Sequence, residues 1–422
     1  MRTPLALIAV LLVCLSATSA ALAAGDPLRS QQWGLDTIHA DAAHSTSTGS
    51  GAVVAVVDTG VLASHEDLAG RLLPGHDFVQ NDNTPQDENG HGTHVTGIVA
   101  ADAGNGKGIE GVAPGAKVMP IRVLDASGTG TSDNVAKGID YAVAHGADVI
   151  NLSLGGDAVS TVLGSDAVFT KAVQNALDHG VVVIAAAGTD TAPFCEQPAV
   201  TGPLLCVGAI DRREMRTFYS SSGDLVAPGG SATTGASDED ILSTYNDGKY
   251  QALAGTSQAT PHVSGVAALL VSLGLHGKAV TNRILATARD AGLPGPDDVY
   301  GAGILDARAA VAGLGGGGGS GAGAAGISYS HTQKIGTVRG RGVRLSCHAT
   351  AAGRCNAVVT ARGKVIARGS HKVKAGKRVT VAAKLTKAGR KMLHGASKVK
   401  AKLSATVPGA PKRITGTLTL VR

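Results

Sequence analysis

Five short apolar runs recur between residues 51 and 312: AVVAVV (52–57), KVMPIRVL (117–124), ADVINLSL (147–154), VVVIAAA (181–187) and LLCVGAI (204–210). They carry little polar alternation, the pattern of strands buried on both faces. Stretches with helical spacing lie between them: HVTGIVAA (94–101), SDNVAKGIDYAVAHG (132–146) and SDAVFTKAVQNALDHG (165–180), the last two followed closely by the next strand. This rhythm predicts βαβ units, hence an α/β, doubly wound, mostly parallel sheet covered by helices on both faces. Ligands of such sheets sit beyond the carboxyl ends of the strands. A longer apolar run, QALAGTSQATPHVSGVAALLVSL (251–273), opens with the small-residue turn Gly255-Thr256-Ser257. Ser257 is therefore expected at a helix N-terminus, where unpaired N–H groups converge and negative charge is favoured.

Beyond residue 326 the pattern changes. VTVAAKL (379–385), KVKAKLSATV (398–407) and ITGTLTLV (414–421) have strand alternation or strand composition, punctuated by Gly and Pro. They predict a small C-terminal all-β domain over 327–422, of antiparallel β-sandwich type. Val399, Ala401, Leu403 and Ala405 fall on one face of the second strand, and Lys398, Lys400 and Lys402 on the other. The segment GLGGGGGSGAGAAG (313–326) reads as a flexible linker whose ends stand roughly 20 Å apart. At the other end, residues 1–23 combine one Arg, an apolar stretch from Leu5 to Leu15 and an Ala21-Leu22-Ala23 site. That is the pattern of a secretory signal peptide, too short to span a bilayer. No later stretch is long and apolar enough to cross a membrane. The expectation is an exported protein, extracellular or cell-wall associated, with its main domain over 24–312.

Charge and cysteines sharpen this division. Residues 327–422 hold 22 of the 38 Lys and Arg and no Asp or Glu, so the net +6 is +22 after the linker and −16 before it. Cys14 falls in the signal peptide, and the remaining four cysteines form an even set, as in exported disulfide-bonded chains. Pairing neighbours, Cys195–Cys206 and Cys347–Cys355, closes short loops without crossing domains, although spacing alone leaves the connectivity open.

The candidate chemistry lies at strand and helix ends. Asp58 follows the first strand in Asp58-Thr59-Gly60, a tripeptide also found in aspartic proteases, but those need two such carboxylates and this chain has no second one. His91 opens NGHGTHVTGIVA (89–100), with His94 one turn further. The pair lacks the His-Glu-x-x-His arrangement of zinc proteases, and His94 and His262 read as structural. Gly255-Thr256-Ser257 taken alone reads as a helix-capping turn before it reads as a nucleophile. Together, Asp58, His91 and Ser257 supply the carboxylate, base and nucleophile of an acyl-transfer triad, in the chain order Asp, His, Ser known from subtilisin.

At this point the chain resembles the subtilisin-like serine proteases (subtilases, peptidase family S8), over about residues 26–312. The stretches that carry the resemblance are VAVVDTGV (54–61), HGTHVTGIVA (91–100), GVAPGAKVMPIRVLDASGTG (111–130), VINLSLGG (149–156), VVVIAAAG (181–188), GTSQATPHVSG (255–265) and YGAGILDARAAV (300–311). The resemblance implies endopeptidase activity on polypeptide substrates. His91 would exchange the Ser257 proton with the leaving amine while Asp58 fixes the imidazole. The Ser257 backbone N–H would help stabilise the oxyanion. Gly128-Thr129-Gly130 and Ser153-Leu154-Gly155 would line the cleft, and Ala185-Ala186-Ala187-Gly188 would wall the pocket for the side chain before the scissile bond.

Three positions depart from the family pattern. Gly188 is followed by Thr189 and Asp190 where relatives carry an oxyanion-donating Asn, so Thr189 is the candidate for a weakened donor. Gln258 replaces a Met after the nucleophile, and no long pro-segment precedes the first strand. The triad needs no cofactor. The resemblance places a calcium-binding carboxylate at Asp67 in HEDL (65–68), with DAGNGKG (102–108) as a second ligand source. An acidic, glycine-rich surface turn explains the same residues without calcium. The basic tail is expected to meet anionic cell-wall polymers or acidic substrates, or else to be a solvated spacer. Nucleic acid is not expected, because Tyr329 is the only Phe, Trp or Tyr after the linker and stacking platforms are missing. The competing class of function is a catalytically weak or silent peptide-binding relative tethered to wall polymer.

Overall fold

A computed structural model describes residues 25–154, 167–189, 192–193, 204–233, 237–314, 326–328, 332–375, 377–410 and 413–422. Residues 1–24, where the signal peptide is expected, Gly155, Asp190, Cys195 and most of residues 313–326 lie outside the described residues. In chain order the first part contains α1 (Trp33–Thr37), α2 (Ala40–His44), β1 (Val53–Asp58), β2 (His76–Asp77), α3 (His91–Ala100), β3 (Lys117–Arg122), α4 (Ser132–Ala144) and β4 (Val149–Leu152). It continues with α5 (Ala167–Asp178), β5 (Val182–Ala186), a two-strand pair of β6 (Gly188–Thr189) and β7 (Ala192–Pro193), β8 (Leu204–Ile210) and β9 (Leu225–Pro228). The hairpin of β10 (Ile241–Thr244) and β11 (Tyr250–Leu253) then leads into α6 (Thr256–Ser272), α7 (Lys278–Thr287) and α8 (Ala307–Val311).

Seven strands form one sheet in the order β2-β3-β1-β4-β5-β8-β9, and every pair in it is parallel. Each of the five apolar runs supplies one of its strands. Because the strands are buried on both sides, successive residues of β1 feed two different cores. Val54 and Val56 pack with Val95 and Val99 of α3 and with Ala259, Val263 and Val266 of α6. Ala55 and Val57 pack with Val135 and Ile139 of α4 and Phe169 and Val173 of α5. The helix α6 is buried along nearly its whole length, from Thr256 to Val271. Its position is fixed by packing on all sides rather than by one apolar stripe.

The C-terminal part contains β12 (Gly326–Ser328), β13 (Thr332–Lys334), α9 (Ile335–Arg341), β14 (Val343–Ala349), β15 (Gly353–Ala361) and β16 (Lys364–Val373). It ends with β17 (Lys377–Leu385), α10 (Lys387–Leu393), β18 (Lys398–Thr406) and β19 (Ile414–Val421). Its eight strands run in the order β12-β14-β17-β16-β15-β18-β19-β13, antiparallel except for β13 beside β19. One apolar cluster, including Leu345, Val359, Val381, Leu403 and Leu420, forms its core. In β18 the alternation is as expected, with Val399, Ala401, Leu403 and Ala405 buried and the three lysines exposed. The short helices α9 and α10 accompany the strands. Cys347 and Cys355 form a disulfide within this core. Cys206 is also disulfide-bonded, while its expected partner Cys195 lies outside the described residues.

Candidate functional site

Parallel strands end along one edge of the sheet, and that edge collects the predicted residues. Asp58 is the last residue of β1, Ser153 follows β4, and Ala187-Gly188 follow β5. The register pairs Val56 with Asn151 and Leu152 with Ala185, which puts Asp58, Ser153 and Ala186 level with one another. The N-terminus of α3, carrying His91, closes over this edge. Gly92 permits the approach, since a Cβ there would stand 2.2 Å from the carbonyl oxygen of Gly60. Gly90 precedes it at φ 111°, a left-handed conformation suited to glycine.

His91 Nδ1 lies 2.8 Å from Asp58 Oδ1; the carboxylate is fully buried, whereas the imidazole is 25% exposed. Asp58 Oδ1 also accepts the Thr59 N–H, but the buried Oδ2 has no partner among the described residues. An incompletely solvated buried carboxylate makes a positive imidazole beside it favourable. Burial alone depresses the His91 pKa, yet the charge and hydrogen bond of Asp58, with a further contribution from Asp87, raise it above the ordinary value. His94, buried without a neighbouring carboxylate, is pushed down to about 3 instead, chiefly by burial. It donates from Nε2 toward the carbonyls of Ile241 and Gln251, and His262 bonds through Nδ1 to the Gln258 carbonyl. Both histidines are structural, as expected.

Asp87 is a site residue that sequence reasoning missed. Its Oδ1 accepts from Thr59 Oγ1, Asn89 N and Gly90 N, and its Oδ2 accepts from Thr93 N and Thr93 Oγ1. Thr59 Oγ1 in turn accepts the Gly92 N–H. One buried carboxylate thus ties the turn after Asp58 to the first turn of the His91 helix, and does the capping that Gly90 cannot. The available signal was an Asp a few residues ahead of a helix start, in Asp87-Glu88-Asn89-Gly90-His91.

Ser257 is the second residue of α6. Its backbone N–H has no acceptor among the described residues, as expected for a first-turn amide. Pro261 lies four residues on, and a proline cannot donate to the carbonyl of residue i−4. The Ser257 carbonyl is therefore left without an intrahelical donor, and Ser153 Oγ fills the gap at 2.7 Å. Ser257 Oγ donates back to the Ser153 carbonyl at 3.2 Å, rather than to His91. Ser153 is held in turn by Asn151 Nδ2, and Asn151 by Ser264 Oγ. This chain of buried polar groups fixes the start of α6 against the end of β4.

The remaining expected residues fall around this centre in different ways. Gly188 N donates to Thr256 Oγ1 at 3.2 Å, so the end of β5 abuts the residue before Ser257. Ala185, Ala186 and Ala187 are wholly buried, as is Leu154, so their side chains are taken up in core packing. Gly128 lies in the turn Asp125–Gly128, beside Asn89, and Thr129 and Gly130 follow it, Gly130 bridging to Leu124. Thr189 pairs with Ala192 in the β6–β7 strand pair. Asp67 belongs to a separate place: its carboxylate is buried and accepts from Asn105 Nδ2, Ile109 N and the Tyr250 hydroxyl.

A sequence profile of the Subtilase family (Peptidase_S8) matches residues 49–303. Thermitase of Thermoactinomyces vulgaris is 43% identical over 287 residues, covering 67% of this chain and 94% of that protein. Subtilisin Savinase of Lederbergia lenta is 38% identical over 288 residues, covering 67% of this chain and 99% of that protein. Among solved structures, a protease of Pseudoalteromonas arctica aligns with a TM-score of 0.61 at 34% identity, covering 68% of this chain and 98% of that one.

The raised His91 pKa gives a direct check by NMR titration of the full chain. We expect the His91 imidazole to titrate above the ordinary value of about 6.5 and to titrate lower in Asp58→Asn, which removes the carboxylate charge that raises it. A His91 value at or below 6.5 in the parent protein contradicts the electrostatic account.

Proposed function

Because the chain belongs to the subtilase family and is a serine-type endopeptidase, we propose that Asp58, His91 and Ser257 carry its acyl transfer. The observation that supports this most is the 2.8 Å contact between His91 Nδ1 and Asp58 Oδ1 at the sheet's carboxyl edge, with Ser257 at the N-terminus of α6. For proton transfer Ser257 Oγ has to leave the Ser153 carbonyl, to which it donates at 3.2 Å, and engage His91 Nε2. Catalytic hydrogen bonds often tighten only with substrate in place. Oγ then attacks the scissile carbonyl carbon as Nε2 takes its proton. The Nδ1–H remains on Asp58, whose charge stabilises the imidazolium. The developing oxyanion meets the free Ser257 N–H. Collapse breaks the C–N bond, His91 protonates the leaving amine, and water repeats the sequence on the acyl-enzyme.

The second oxyanion donor is where this chain differs from its relatives. We place Thr189 in that role, as a shorter donor than Asn, with Asp190 beside it in sequence disfavouring negative charge. An endopeptidase with reduced transition-state stabilisation follows. The silent peptide-binding alternative draws on this same departure, and the Asp58–His91 contact speaks against it.

Secretion is supported by the pattern of residues 1–23; among the described residues no helix is long and apolar enough to cross a membrane. We propose that the domains divide as 24–312, 313–326 and 327–422, and that the basic part anchors the enzyme to anionic cell-wall polymer. A structural calcium also fits. Asn105 Nδ2 stands 2.9 Å from Asp67 Oδ1 while its Oδ1 accepts the Lys107 N–H; a half-turn of the amide, giving up that Lys107 bond to a bound cation, exchanges nitrogen for oxygen beside Asp67. A buried carboxylate beside a carboxamide then gives the all-oxygen donor set that calcium prefers.

Purified 24–422 is expected to hydrolyse an unfolded protein such as reduced casein, and Ser257→Ala to lower the rate by more than about 10⁴-fold. Equal, negligible rates in both would favour the silent reading. Thr189→Asn should raise kcat by about tenfold or more, since in subtilisin-type sites one oxyanion donor is worth about 10²–10³ in rate; an unchanged kcat removes Thr189 from the role. Excess EDTA should lower the melting temperature by about 5–10 °C, as loss of a ligand held at a hundredfold its Kd implies. This shift should vanish in Asp67→Asn, and a melting temperature unmoved by chelator in the parent rules calcium out.

A further inference from the structure

We propose that the outward face of the C-terminal sheet is a docking surface for a linear, phosphate-bearing cell-wall polymer, a proposal that rests on the reading of this chain as an exported, wall-associated protease. In an antiparallel pair, residues directly opposite each other project from the same face. Arg354 of β15 stands opposite Lys372 of β16, and Val358 opposite Arg368. Arg368 in turn stands opposite Lys384 of β17. On the other side of β15, Val358 pairs with Ser404 and Thr360 with Lys402 of β18. Arg354, Lys372, Arg368, Lys384 and the β18 lysines Lys398, Lys400 and Lys402 therefore share one face, and all seven are exposed.

The arrangement is electrostatically unfavourable for the isolated protein. Like charges placed directly across a strand pair are destabilising, and here two such rungs, Arg354 with Lys372 and Arg368 with Lys384, occupy one face. No Asp or Glu exists anywhere in residues 327–422 to neutralise them. Several guanidinium groups before the linker are paired with carboxylates: Arg122 bonds Asp77 and Glu88, Arg289 bonds Glu214, and Arg29 bonds Asp36 and Asp41. No side-chain carboxylate of residues 327–422 can relieve the repulsion among these cations, and an anion from outside the sheet does.

The spacing says what kind of anion. With strands about 4.8 Å apart and about 6.8 Å between alternate residues, Lys400 and Lys402 are followed by Arg368 roughly 12 Å away, and then by Lys372. These charges lie on a diagonal across the sheet. A flexible chain with repeated phosphates can follow that line, whereas a compact anion meets only one or two of its charges. Thr360, Val358, Asn356, Ser370 and Ser404, not aromatic rings, occupy the positions between, and Tyr329 is the sole Phe, Trp or Tyr after the linker. Such a surface grips backbone charge without stacking bases, which separates it from a single-stranded nucleic-acid site.

The test uses the full chain with Ser257→Ala, to prevent self-digestion, and purified poly(glycerol phosphate) as probe. Binding should weaken steeply with salt, as counterion release requires. The face variant Arg368→Gln/Lys400→Gln/Lys402→Gln should bind about tenfold or more weaker at low salt, with a shallower salt slope. A control that removes three cations elsewhere, Lys377→Gln/Lys387→Gln/Lys391→Gln, should lose less than about threefold. Should the face variant fold poorly, Lys400→Arg/Lys402→Arg is expected to keep parental affinity. Equal losses in the face and control variants, no binding by the parent, or tighter binding of single-stranded DNA than of the polymer would each overturn the proposal. Casein hydrolysis by the same variants with Ser257 restored separates the two readings. Hydrolysis without polymer binding removes the docking surface alone, and binding without hydrolysis removes only the catalytic reading.

Discussion

Everything at the site depends on a carboxylate kept out of water. Asp58 is fully buried at the end of β1, one of its oxygens has no partner among the described residues, and its nearest ionisable neighbour is His91. An unpaired buried charge is costly, so the fold stores at this point a preference for a positive imidazole. That preference is most useful when His91 becomes charged during a reaction, and weaker when it is neutral. The same environment without a carboxylate drives His94 the opposite way. Two histidines one turn apart on α3 thus have opposite protonation tendencies, set by which face of the helix each occupies.

The sheet supplies the geometry around that charge. Parallel register brings the ends of β1, β4 and β5 level, so the edge residues come from segments far apart in sequence yet rigidly placed. Asp87 locks the turn after Asp58 to the start of α3. On the other side, Pro261 empties the intrahelical partner position of the Ser257 carbonyl, and Ser153 takes it. A residue that ordinarily weakens a helix here couples the nucleophile's helix to the neighbouring strand. The buried Asn151 and Ser264 extend the coupling into the core, so a defect at either is felt at Ser257 without touching substrate.

Much of this was legible in the chain itself. The five apolar runs became five strands, and the Gly255-Thr256-Ser257 turn became the start of α6. What escaped reading shares a physical cause. β2 has two residues and β9 contains a proline, so neither shows a sustained apolar period. Asp87 looks like an ordinary acidic turn residue, because its five hydrogen bonds converge from Thr59, Asn89, Gly90 and Thr93 only once the chain has folded. The reciprocal bonds between Ser153 and Ser257 link positions 104 residues apart. In the C-terminal part the sequence announced the lysine stripe of β18 but not the opposed pairs Arg354–Lys372 and Arg368–Lys384, since strand order and register are invisible to periodicity.

The central claim is that Ser257 is a nucleophile made reactive by His91 and held in place by Asp58. Stoichiometric labelling with phenylmethylsulfonyl fluoride, followed by peptide mass mapping, addresses it most directly. The account predicts one sulfonyl adduct per chain, located on Ser257, forming at least about 10²-fold more slowly in His91→Ala, as loss of the general base requires. An adduct on another residue, or labelling of Ser257 at the same rate without His91, would contradict it.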